Sequence, residues 1–93
     1  MIQKSVPILF DTKLPHSSVA KKLLREILSS NIQPVHLSQI KEINKQRKTR
    51  KRVYLSPRID KDLIEFFYTA PLSVQYAVFL EFNKKLQEVL NNE

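Results

Sequence analysis

The stretch Arg50-Lys51-Arg52-Val53-Tyr54-Leu55-Ser56-Pro57 decides how this chain is read. Apolar Val53 and Leu55 alternate with Arg52, Tyr54 and Ser56, the period-two pattern of a strand with one buried face and one wet face. Ser56-Pro57 then reads as a helix start: serine caps the orphan backbone N–H groups, and proline takes the first helical position, where its missing N–H costs nothing.

Outward from the strand toward the N-terminus runs Lys45-Gln46-Arg47-Lys48-Thr49-Arg50-Lys51-Arg52, six basic residues in eight. Close like charges destabilise an isolated helix, so this run is a poor helix until a polyanion neutralises it. The net charge of +7 is concentrated here: residues 1–52 carry 12 Lys/Arg against 3 Asp/Glu, and residues 53–93 carry 4 against 6. A localised positive field attracts polyanions, in a salt-sensitive way. The bland alternatives for the run are a solvated linker or, in a eukaryotic source, a patch like a nuclear-localisation signal.

Toward the C-terminus, Ile59, Leu63, Phe66 and Phe67 share one helical face, with Asp60 and Asp62 in the early turns where the helix dipole favours them. Thr69-Ala70-Pro71 stops this helix, and Ser73 caps a final one running to about Leu90. Its first half, Tyr76-Ala77-Val78-Phe79-Leu80-Glu81-Phe82, is apolar almost all round. Such a helix needs cover on several sides, and a chain of 93 residues has little to spare, which favours dimerisation.

The N-terminal half reads less sharply. Val6 to Phe10 is a short apolar run interrupted by Pro7, an edge strand or an extended arm. Asp11 to His16 is a turn. Ser17 or Ser18 caps an amphipathic helix with Val19, Ala20, Leu23, Leu24, Ile27 and Leu28 on one face. Pro34 opens a weaker helix with Leu37, Ile40 and Ile43 inward. No internal repeat is apparent.

Composition excludes several classes of function. With no glycine, the chain has no phosphate-cradling loop and must turn on Pro, Asn, Ser and Asp. With no cysteine there are no disulfides or thiolate sites. His16 and His36 are isolated from other ligand types, no nucleophile–base pair stands out, and neither an enzyme activity, a metal nor a cofactor is expected. No apolar run is long enough to span a membrane, and the start lacks the apolar core of a secretory signal, so the expected location is cytoplasmic and nucleoid-associated.

Arg52-Val53-Tyr54-Leu55-Ser56-Pro57, with Ile59, Leu63 and Ser73, resembles the strand–helix–helix junction of the ribbon-helix-helix family of DNA-binding proteins. The resemblance covers about 40 residues at the C-terminal end and implies an intertwined dimer, mainly α, whose paired strands form a ribbon in the DNA major groove. A lone strand cannot satisfy its own backbone groups, which independently calls for a partner strand.

The resulting expectation is an N-terminal helical extension with a basic linker over residues 1–48 and a ribbon-helix-helix module over residues 49–93. Lys45, Arg47, Lys48, Arg50, Lys51, Arg52, Tyr54 and Ser73 are the expected nucleic-acid contacts; Val53, Leu55, Phe66, Tyr76, Phe79 and Leu80 are the expected dimer interface. Tyr54 also fits ordinary half-exposed strand packing, and Ser56 and Ser73 ordinary helix caps. The expected partners are double-stranded DNA and a second copy, with higher oligomers on DNA and a protein partner for residues 1–44. The role would be that of a small repressor or a plasmid partition, maintenance or conjugation factor. The rival readings are a helical protein–protein adaptor, such as an antitoxin or assembly factor, and an RNA-binding protein using the same charge.

Overall fold

The computed structural model describes residues 4–9, 17–46 and 50–91, and within them the side chains of Ser17, Gln46, Arg50 and Leu90 are left aside. The order is β1 (Lys4–Leu9), α1 (Ser17–Ser29), α2 (Leu37–Gln46), β2 (Arg50–Leu55), α3 (Lys61–Thr69) and α4 (Leu72–Asn91). The chain is mainly helical, with one two-stranded antiparallel sheet.

The strand read from Val53 and Leu55 forms, but its partner is β1 of the same chain. Lys4 pairs with Leu55, Val6 with Val53, Pro7 with Arg52 and Leu9 with Arg50. The ambiguous apolar run near the N-terminus is therefore a strand, and β2 gains its ladder partner without a second copy. Pro7, which cannot donate, is accommodated because β1 is an edge strand.

Alternation divides the ribbon into two faces. Val6, Ile8, Val53 and Leu55 are buried against the helices, while Ser5, Pro7, Arg52 and Tyr54 are exposed on the opposite side. The helices complete a single hydrophobic core from Ala20, Leu23, Leu24 and Ile27 of α1, Leu63 of α3, and Val78, Phe79, Phe82 and Leu86 of α4. The boundary expected between residues 48 and 49 lies outside the described residues, and the core draws on residues from both sides of it. The packing also crosses it: α1 lies against α4 and β2, and α4 against β1.

This core covers the apolar first half of α4 from within the chain. Phe79 stacks on Phe67 at 5.8 Å between centroids, with Tyr76 edge-on to Phe79 at 5.9 Å. Of the residues expected at a dimer interface, Val53, Leu55 and Phe79 are buried here in the protein's own core, and Phe66 and Tyr76 pack against it. Leu80 alone among those six is exposed, at 39%. The N-terminal strand and α1 supply the cover that a second copy was expected to give.

Two local expectations are corrected. Ser56-Pro57 does not start the helix: residues 57–59 form a turn, and α3 begins at Lys61. Asp60 is the reason. Its N–H donates to the Ser56 carbonyl at 2.8 Å, its carboxylate accepts from the Ser56 N–H at 2.8 Å, and the two bonds close the turn. Ile59, expected on the inward face, is carried out to 76% exposure. Likewise α2 starts at Leu37, not Pro34: the His36 carbonyl accepts from Gln39 and Ile40, and the Gln39 side chain accepts from the His36 N–H, so His36 sits at the cap. Leu37, expected inward, is exposed.

Helices end without glycine, and no described residue has a positive φ. The Ser30 hydroxyl and N–H both donate to the Ile27 carbonyl at the end of α1. At the end of α3, the Gln75 amide donates to the carbonyls of Phe67 and Ala70. Side chains do the work that a left-handed glycine does elsewhere.

The order β–α–α occurs twice along the chain, once over residues 4–46 and once over residues 50–91. The two helical pairs differ in length and polarity. The second helix of the first half has 10 residues and that of the second half has 20.

Candidate nucleic-acid interface

The outer face of the ribbon is built by register. Placing Val53 and Leu55 in the core forces Arg52 and Tyr54 to the opposite side, next to Pro7 and Ser5 of β1. Tyr54 is 58% exposed, so its ring is open to solvent, as both a nucleic-acid contact and half-exposed strand packing require. Lys51 pairs with Ile8, so it follows the register of the inner face, and it is exposed because it stands at the ribbon's end. Lys45, in the last turn of α2, is exposed as well.

Among the described residues, no ion pair neutralises these cations. Lys21 and Arg25 pair with Asp60, and Arg25 pairs also with Asp62. Lys21 lies 2.8 Å and Arg25 2.7 Å from the fully buried Asp60 carboxylate. Burial by itself opposes the charge on Asp60, but hydrogen bonds from Lys21, the Ser56 N–H and Arg25 outweigh it and hold the carboxyl below its usual range. Arg25 is correspondingly raised, chiefly by its hydrogen bond to Asp60. This cluster ties α1 to the exit of β2 and fixes the ribbon's orientation on the helices. It is an anchor, and it leaves Lys51 and Arg52 free of described acidic partners.

The expected contacts are therefore partly gathered. Lys51, Arg52 and Tyr54 share the ribbon and Lys45 closes the helix before it. Arg47, Lys48 and the Arg50 side chain lie outside the described residues. Ser73 is half-buried in the first turn of α4, and its carbonyl accepts from the Val35 N–H at 3.1 Å. It belongs to the start of α4 and is tied to the α1–α2 connection.

Sequence reading missed Ser5 and Pro7 as neighbours of the basic strand. The signal was available only as a weak one, because a proline inside a short apolar run fits an arm as well as an edge strand.

A separate groove of about 340 Å³ lies between β1 and α3–α4, with Val6, Pro7, Ile64, Phe67, Tyr68 and Gln75 among its walls. Lys4 stands at its rim, its ammonium donating to the Tyr68 hydroxyl and lying 4.3 Å from the ring centroid. Its walls are mostly apolar and hold no nucleophile–base pair.

No protein-family model, characterised protein or solved structure matches the chain.

Proposed function

We propose that this protein binds double-stranded DNA through the outer face of its two-stranded ribbon, a single-chain version of the ribbon-helix-helix arrangement. The observation that carries the reading is the pair of exposed side chains Arg52 and Tyr54 on the outer face of a narrow antiparallel ribbon, with exposed Lys51 at the ribbon's end and none of the three held by a described acidic partner. The major groove admits a two-stranded ribbon, and a guanidinium there can grip a guanine edge bidentately. Lys45, Lys51 and the basic residues 47–48 act on phosphates, giving affinity that depends on salt; Arg52 and Tyr54 address bases. Repression of transcription, or a part in plasmid partition, maintenance or conjugation, would follow from such binding in the cytoplasm at the nucleoid.

Fluorescence anisotropy with labelled random duplex, single-stranded DNA and structured RNA, titrated with salt, tests this. Duplex should bind best, and the slope of log K against log salt should fall by about one phosphate's worth in Lys45→Ala. Preference for structured RNA would move the charge to the RNA-binding reading. No nucleic-acid binding at low salt would leave the basic segment to an acidic protein partner.

A further inference from the structure

We propose that one chain reads a DNA site lacking dyad symmetry, with β2 doing the base reading and β1 serving as its silent half. The proposal rests on the DNA-binding reading above and adds the class of site and the number of chains on it.

An antiparallel ladder has a local two-fold at each facing pair, and the one through Val6–Val53 relates like residues to like on the inner side. About that axis Lys4 corresponds to Lys51, Val6 to Val53 and Ile8 to Leu55. On the inner side the two strands are chemically alike, and all four apolar residues enter the core. On the outer side the same axis relates Ser5 to Arg52 and Pro7 to Tyr54. There the strands are unlike: β2 offers a guanidinium fork and a phenol, while β1 offers one hydroxyl and a ring with neither side-chain donor nor N–H.

A protein two-fold is mirrored by a palindromic site only when both halves present the same groups to the DNA. Here the packing is near-symmetric and the reading face is not. Arg52 and Tyr54, two residues apart on one strand, are separated by about 7 Å along it. That distance spans about two base-pair steps, so the base-specific footprint is short, contiguous and one-sided. With β1 already in place, a second copy is not needed to complete the ribbon.

Selection of duplexes from a random library, followed by native mass spectrometry of the complex with the recovered site, tests the proposal. The expected result is a short motif without inverted repeat, occupied by one chain. Arg52→Ala should lose about tenfold or more of the discrimination at one guanine. Ser5→Ala should leave the motif unchanged, and Ser5→Arg with Pro7→Tyr should move the selected motif toward an inverted repeat. An inverted repeat carrying two wild-type chains would overturn the proposal while leaving DNA binding intact. Binding without any enriched motif would overturn the assignment of β2 to bases. Failure to bind any duplex would remove the premise as well, and the anisotropy series identifies that case separately.

Discussion

β1 and β2 are paired over six residues, yet they answer to different demands on their two sides. Facing the helices they carry interchangeable branched aliphatics, because a close-packed core selects volume and shape. Facing solvent they diverge into Ser5 and Pro7 on one strand and Arg52 and Tyr54 on the other, positions that are exposed and outside the core. The same ribbon is thus a structural element on one face and a chemical one on the other. The contrast implies that stability and nucleic-acid binding are separable by face, not by strand.

The largest expected effect breaks the symmetry of the inner face. Ile8→Ala and Leu55→Ala should each destabilise the fold by about 2–5 kcal/mol, read from the denaturant midpoint at constant m. Comparable losses would establish that both strands are core elements. A negligible loss at Ile8 would return β1 to the status of an arm and reopen the need for a partner strand.

Next comes the anchor at the exit of β2, which has no described counterpart after β1. Asp60→Asn should cost about 2 kcal/mol, less than a fully buried pair, because Lys21 and Arg25 keep access to water. In a domain of this size that lowers the melting temperature by about 10 °C. The effect has a defined pH dependence. The folded-state carboxyl titrates below its unfolded value, so its stabilisation is fully present above the unfolded pKa and is lost as pH falls through the folded one. The gap between wild type and Asp60→Asn should be constant from about pH 6 to 8 and close below about pH 4. A gap that widened in acid would contradict this assignment.

The smallest effects on stability sharpen the contrast from outside. Arg52→Ala and Ser5→Ala should each change folding stability by less than about 0.5 kcal/mol, since neither touches the core. On DNA they should part company, with Arg52→Ala losing about 1–3 kcal/mol of sequence discrimination and Ser5→Ala almost none. Equal losses on cognate and random duplex for Arg52→Ala would refute its role in base reading.

Much of this architecture was legible beforehand. Period-two alternation identified β2, and helical spacing identified α1, α3 and α4, because each pattern reports which side of one element must leave water. The absence of glycine correctly pointed to serine-based and other side-chain stops, as at Ser30. Less was legible where the outcome depended on a distant partner. Asp60 reads locally as a residue suited to a helix N-terminus, yet its carboxylate is held by Lys21 and Arg25 from α1, and that moved the start of α3 to Lys61.

Sequence alone settled the faces: Val53 and Leu55 inward, Arg52 and Tyr54 outward, with the positive charge gathered around them. It did so because alternation and charge are properties of neighbouring residues. Only the tertiary structure decided what lies beside β2, since a strand's unpaired N–H and C=O groups specify that a partner is required and carry no record of which strand provides it. The choice of β1 came from shape and burial across 40 residues of intervening chain, Lys4 against Leu55 and Leu9 against Arg50, where the apolar sides of both strands meet α1 and α4 in one core.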